Sequence, residues 1–282
     1  MKLARLWQVK MGTALHPVPR TSLPRGPSLP SLLAPLEERV GKVKHLHGQK
    51  LIYRNHLTDP HYLHRFHFLG PEGGDSYQRL GLFAGIHGDE VAGSHAAVRF
   101  LTELVERPEL AQGYEFFVYP VCNPTGYADG TRHSRSGLDL NREFWKNSDQ
   151  LEVRLLEQEI LQLNFDGFLS LHADDTSDGL YGFALGHTHA EHVLSPALEV
   201  ASRILPRNRR RRIDNLPARN SIVRKRYPGM LGPQPDSRTR PFEIVLETPA
   251  LAPIPDQIES TVLALHKILE EHRNLLSFSP NL

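Results

Sequence analysis

Cysteine occurs once in the 282-residue chain, at Cys122, so no intramolecular disulfide can form and no zinc knuckle can be built from thiolates. Long apolar runs are missing too, and nothing approaches the roughly 20 residues a membrane-spanning helix needs. The opening MKLARLWQVKMGTALHP has basic residues but no apolar stretch of signal-peptide length. These absences make a reducing cytoplasm the expected location and exclude a membrane as partner. An excess of one charge is also lacking: a formal net charge of +1 argues against nucleic acid or an anionic bilayer as a global partner. What remains is an ordinary globular composition, 39% hydrophobic, on a chain long enough for a sizeable core.

Proline is concentrated in residues 17–35, PVPRTSLPRGPSLPSLLAP, a stretch expected to sustain neither a helix nor a central strand. Residues 1–35 therefore read as a Pro-rich tail or strap, 36–277 as one folded domain and 278–282 as a C-terminal tail. Within the domain, strand-like and helical patterns alternate. HRFHFLG and YQRLGLFAGI read as strands joined by a turn at PEGGDS, and VAGSHAAVRFLTELVER as a helix. YEFFVYPVCNP is a buried strand ended by Asn123-Pro124, and SDQLEVRLLEQEILQLN an amphipathic helix. FDGFLSLHA, HAEHVLSPALEVASRIL, FEIVLETP and IPDQIESTVLALHKILEEHRNLL read as strand, helix, strand and helix. This order predicts an α/β fold, a twisted, largely parallel mixed sheet with helices on both faces. In such sheets ligands bind at the carboxyl ends of the strands. His87, Asn123, His172 and Glu247 all stand at such ends.

His87 and Glu90, in GLFAGIHGDEVAG, lie at a strand end and in the first turn of the following helix. On their own they fit capping and solvation as well as metal binding. His172, in LSLHADD, repeats the strand-end design and favours a His-Glu-His zinc site with a fourth position left open. The loop TRHSRSGLDLNREF brings Arg132, Arg135, Asn141 and Arg142, suited to an anionic or carbonyl-bearing substrate, although Asp139 and Arg142 could also pair and pin the loop. Glu247 ends an apolar strand, where desolvation would raise its pKa toward the range useful to a base; pairing with an arginine is the alternative.

Taken together, HGDE, NPTG, the arginine loop ending in DLNR, SLHADD and LETP follow the order of the zinc carboxypeptidase family, and residues 80–250 resemble its compact bacterial branch. Arg132 stands nine residues before Asn141, and YPGMLG precedes Glu247 at the spacing of a PG-containing loop, as in the murein peptide amidases. The resemblance to aspartoacylase and succinylglutamate desuccinylase, which keep the arginine closer to the asparagine, is more distant. NPTG replaces the usual NPDG, and Glu143 stands where an asparagine is common. The resemblance implies one zinc per chain on His87, Glu90 and His172, with Asp139 bonded to the ring of His87. It also implies Glu247 as catalytic base, Arg132 as oxyanion stabiliser, and Asn141 and Arg142 as clamps on a substrate carboxylate. Tyr227 stands in about the place of the family's carboxylate-capping tyrosine. The implied activity is a metallocarboxypeptidase or amidase acting on a peptide or N-acyl amino acid with a free carboxylate, with murein peptides as one substrate. An N-acyl amino acid deacylase is the second reading.

Three features stand outside that pattern. The run Arg207–Arg212 with Arg219 and Arg224–Arg226 reads as a solvated surface first, a funnel for an acidic substrate second and a nucleic-acid contact third. An inactive peptide- or RNA-binding relative is the corresponding reading of another class. HTHAEH, residues 187–192, is not a metal motif by its spacing, and Cys122 is expected to be a buried, inert thiol. Lys44–His47 and His61–His67 read as alternating surface faces.

Overall fold

The computed structural model describes residues 28–53, 61–74, 76–235, 237 and 240–278. Its strands are Leu46–Tyr53 (β1), His61–Leu69 (β2), Gln78–Ala84 (β3), Tyr114–Tyr119 (β4), Gly167–Asp174 (β5) and Tyr181–Ala184 (β6). They are followed by Arg212–Ile213 (β7), Leu216–Arg219 (β8), Ile222–Val223 (β9) and Phe242–Pro249 (β10). These form one sheet in the order β1-β2-β4-β3-β5-β10-β6-β9-β8-β7. Its centre, β4-β3-β5-β10, is parallel throughout, while the flanking pairs β1-β2, β2-β4, β10-β6, β9-β8 and β8-β7 are antiparallel. The central strands are buried at nearly every residue because both of their faces are covered.

Alternation along the strands sorts the core into layers. Leu80, Leu82 and Ala84 of β3 join Phe100, Leu101 and Leu104 of helix α2 (Val91–Glu106). Helices α1 (Leu29–Glu37) and α7 (Ile254–Phe278) add Leu36 and Leu265 to the same cluster. On the other face Phe83, Phe117 and Phe168 pack against Val153, Leu156 and Ile160 of α4 (Leu151–Leu163). A short helix α3 (Pro124–Asp129) starts on Asn123, whose side-chain oxygen accepts from Gly126 N at 2.9 Å. A further helical stretch runs through α5 (His187–His189), a π turn at Ala190–Leu194 and α6 (Ser195–Ala201). No helix of the described residues is long and apolar enough to cross a membrane.

The helical and central-strand expectations hold, with three differences. The Pro-rich segment does contain a helix: Leu29–Glu37 is α1, while residues 17–27 lie outside the described residues. Pro30 sits in the first turn, where a missing N–H does no harm. Pro35 lies inside, but it and Ser31 four residues back are both exposed, so water can take the freed carbonyl while Leu32, Leu33 and Leu36 are buried. The two early strands are not hairpin partners, since β2 and β3 each pair with β4, on opposite sides of it. The third difference is the ribbon β6 to β9, which carries too short a pattern in the sequence to be read.

HTHAEH is structural: His189 stacks on Phe242 with ring centroids 5.0 Å apart. Nearby, the Tyr114 hydroxyl donates to the Leu269 carbonyl and lies 3.0 Å from Nδ1 of the buried His272.

Two outcomes follow from this packing. Leu36→Ala should destabilise the fold by about 2–5 kcal/mol, read from denaturant midpoints, because the side chain is fully buried; an unchanged midpoint would mean that α1 is not part of the core. His272 is held down to about 3, chiefly by burial and then by the neighbouring His189. Such a group stabilises the fold fully above the ordinary value of 6.5, and that stability is lost as pH falls toward 3. Its ring should therefore stay neutral in an NMR titration from about pH 7 down to about pH 5.

Candidate active site

Glu90 occupies the N-cap position of α2, where a carboxylate would ordinarily bond the first free amides, yet its side chain makes no capping bond. It turns inward instead. Oε1 is 2.6 Å from His87 Nδ1, while Oε2 is 3.0 Å from His172 Nδ1 and accepts from Ala173 N at 3.0 Å. The Nδ1 atoms of the two imidazoles are 3.3 Å apart. All three side chains are buried, at 3%, 8% and 6% exposure for His87, Glu90 and His172. Among the described residues, they are the one group of three ligand-type side chains whose donor atoms converge, within 4.8 Å of one another.

That arrangement calls for a cation. His87 Nε2 faces Asp139 Oδ1 at 3.1 Å. A neutral ring that donates from Nε2 has only a lone pair at Nδ1, and that lone pair points at a carboxylate oxygen. Two acceptors at 2.6 Å need a proton or a metal between them. Burial alone would keep His87 neutral, but Glu90 and Asp139 outweigh it and raise its pKa. Burial likewise works to raise Glu90, but the two imidazoles hold it well below the usual carboxylate range. His172 is pushed down by burial, in spite of Glu90. Two imidazole nitrogens and a carboxylate are a donor set that suits zinc, with Asp139 orienting one ring from behind.

The backbone around the site is held by close approach. A Cβ on Gly88 would stand 1.9 Å from the Gly126 carbonyl carbon, so the HGDE and NPTG turns can touch only through glycine. Asn123, fully buried, donates from Nδ2 to Ile86 O at 3.3 Å and to Arg132 O at 3.4 Å, tying the end of β3 to the arginine loop.

His87, Glu90 and His172 line a cavity of about 440 Å³ at the carboxyl ends of β3, β5 and β10. Glu247, Arg132, Asn141, Arg142 and Tyr227 line it as well. Asp139 is not in its wall and stands behind His87, and Arg135 is outside it as well, paired with Asp129 at 2.8 Å. Glu247 is level with His172 in the parallel β10-β5 pair. Its side chain opens to the cavity, but burial first, then the charges of Glu90 and Asp174, raise its pKa well above the ordinary value. Arg132 donates to Glu90 Oε1 and to Asp139 Oδ2, each at 3.2 Å. Asn141 accepts from Leu231 N through Oδ1 at 2.8 Å, which leaves its amide nitrogen as the free end. Arg142 lies over the Tyr227 ring at 5.4 Å and is not paired with Asp139, which bonds His87 and Arg132. The Tyr227 hydroxyl donates to the Asp214 carbonyl, so the tyrosine is engaged by the turn between β7 and β8.

Other cavity residues escaped the sequence reading. Asp174 accepts from the Tyr181 hydroxyl at 2.9 Å and from Thr176, so it braces the wall. Asp214 comes from a turn on the distant ribbon, and nothing in its local pattern announced it. Asp174 and Asp175 stood in the quoted LSLHADD and could have been singled out as strand-end carboxylates.

Four side chains of the basic tract are held in ion pairs. Arg207 pairs with Glu199 at 3.1 Å, Arg210 with Asp178 at 3.3 Å, Arg226 with Glu243 at 3.1 Å, and Arg224 with Glu191. Arg212 and Arg219 alternate with Ile213 and Ala218, which pack beneath the cavity with Tyr181 and Val245, so they face away from it. Cys122 is buried, and its thiol is pushed far up by burial.

Residues 76–209 match the family model of the succinylglutamate desuccinylase/aspartoacylase catalytic domain, the group that motif spacing placed behind the murein peptide amidases. No curated protein matches the chain. Among solved structures, a provisionally assigned metallopeptidase from Shewanella amazonensis is 25% identical, with 85% of this chain and 90% of that chain covered at a TM-score of 0.69. A metallo-carboxypeptidase from Burkholderia cenocepacia shares the fold at 14% identity, covering 87% of this chain and 68% of its own, at a TM-score of 0.64. One from Pseudomonas aeruginosa, in complex with (2-guanidinoethylmercapto)succinic acid, does so at 19% identity, 86% and 68% coverage and a TM-score of 0.56. In architecture the chain is similar to the metallo-carboxypeptidases, and over residues 76–209 it matches the succinylglutamate desuccinylase/aspartoacylase catalytic domain.

Proposed function

We propose that the chain is a zinc-dependent amide hydrolase that releases a residue bearing a free carboxylate from a peptide, with a cell-wall (murein) peptide as the finer reading of the substrate. The observation that carries this reading is the convergence of His87, Glu90 and His172 on one point of a cavity that also holds Glu247 and Arg132. These three residues would hold a zinc ion, which would supply Lewis-acid polarisation of a water and of the scissile carbonyl.

The protein's own groups do the rest. Glu247 takes a proton from the attacking water on its carboxylate and passes it to the leaving nitrogen. Its raised pKa suits a base that must also deliver a proton, and a cation beside Glu90 offsets one of the negative charges that raise it. Arg132, charged at any working pH, stabilises the negative charge that develops on the carbonyl oxygen. Asn141, through its free amide nitrogen, and Arg142, through guanidinium N–H groups, bind the substrate carboxylate and set the bond in place for attack. Asp139 holds the His87 ring in the tautomer that leaves Nδ1 free for the metal.

The match over residues 76–209 favours a second reading, an N-acyl amino acid deacylase that uses the same residues on a smaller substrate. A panel of γ-D-glutamyl-diaminopimelate peptides, α-peptides and N-acyl amino acids separates the two by relative kcat/KM.

Elemental analysis of the purified protein should find about one zinc per chain, lost in His172→Ala. Absence of zinc from the wild type, even after zinc is added, would overturn the hydrolase reading. Glu247→Gln should keep the metal while kcat falls by roughly a thousandfold; substantial remaining turnover would mean that the base lies elsewhere.

A further inference from the structure

The wall that carries Asn141, Arg142 and Tyr227 consists of two segments outside the sheet, residues 140–146 and 226–232. They are tied to each other by several bonds. Leu231 N donates to Asn141 Oδ1 at 2.8 Å, Phe144 N to Gly229 O at 3.1 Å, and Trp145 Nε1 to Gly232 O at 3.1 Å. Gly229 has φ +81°, and a Cβ there would stand 2.3 Å from Arg142 O, so only glycine permits the contact.

Besides the Tyr227 hydroxyl on the β7–β8 turn, this wall is bonded to the sheet by an ion pair to β10. Arg226 donates from Nη1 to Glu243 Oε2 at 3.1 Å and from Nη2 to Met230 O at 3.0 Å, clasping its own loop onto β10. Glu243 is 5% exposed. Gly232 packs on the pair, where a Cβ would lie 3.0 Å from Glu243 Oε1. Along β10, Glu243, Val245 and Glu247 share one face by alternation. The loop therefore spans Val245, with its anchor at one end and the proposed base about 13 Å further along at the other. Met230 completes this layer by packing with Val245.

Glu243 is buried and Arg226 is 26% exposed, and such a pair contributes little net stability, because desolvation cancels most of the attraction and apolar replacements are often as stable. What an apolar contact would not supply is a defined position of the loop along the strand. We infer that the Arg226–Glu243 pair is a positioning device that fixes the substrate-binding wall relative to Glu247. Neither residue lines the cavity; each acts through Tyr227, Met230 and the Leu231–Asn141 bond. The inference rests on the reading of the cavity as the site of amide hydrolysis.

The test is the double variant Arg226→Met/Glu243→Leu beside Glu243→Gln, with zinc content, thermal midpoint, hydrogen exchange and kinetics measured on each. The double variant should keep its zinc and melt near the wild type. Exchange at the Leu231 amide should rise at least about tenfold, and kcat/KM should fall about a hundredfold, mostly through KM. Glu243→Gln, which keeps an acceptor for Arg226, should recover most of both. Unchanged Leu231 protection, or faster exchange with full kcat/KM, would overturn the inference. If the wild type hydrolyses none of the substrates, the hydrolase reading fails, and Leu231 exchange alone decides whether the pair positions the wall.

Discussion

The carboxylate of Glu90 is bonded at once by two imidazole nitrogens and a backbone amide, in a place from which water is almost excluded. In this knot the Arg132 guanidinium reaches only one of the carboxylate oxygens, and the short contact of that carboxylate with His87 Nδ1 still needs a proton or a cation between the two acceptors. Asp139 fixes the tautomer of His87, Asn123 pins the strand end that carries it, and the glycine contact between residues 88 and 126 lets the two turns close. Each of these would be an odd detail alone. Together they hold the three convergent side chains in place, the kind of preorganisation on which a metal site depends.

The position of the knot follows from the sheet. The four central strands β4, β3, β5 and β10 run parallel, so their carboxyl ends form a shared edge, and His87, His172 and Glu247 stand at the ends of three of them. Parallel strands also leave their following loops on the same side. The cavity is therefore walled by segments that are far apart in the chain, with Asn141 and Leu231 ninety positions apart yet sharing one hydrogen bond.

Much of this was legible beforehand, for reasons that differ from part to part. β3, β5 and β10 are continuous apolar runs ending in a His or a Glu, and α2, α4 and α7 have clear helical periodicity, so elements and ligands could be read together. The short ribbon could not, because two-residue strands such as β7 and β9 carry no period. Proline misled the reading of α1, where its cost falls on an exposed face. The basic tract reads first as a solvated surface; four of its arginines are held by acids, among them Asp178 and Glu191, that its own local pattern does not announce.

By itself the sequence determined the α/β alternation, the zinc-carboxypeptidase-like motif order and the identity of the three convergent side chains, since each depends on a local pattern or a fixed spacing. Tertiary structure alone decided that Glu90 forgoes its capping role, that Arg142 leaves Asp139 for the face of Tyr227, and that Arg226 reaches Glu243. The physical reason is common to all three. A polar side chain has several partners within reach of its stem, and which one it takes is settled by which groups the fold buries beside it.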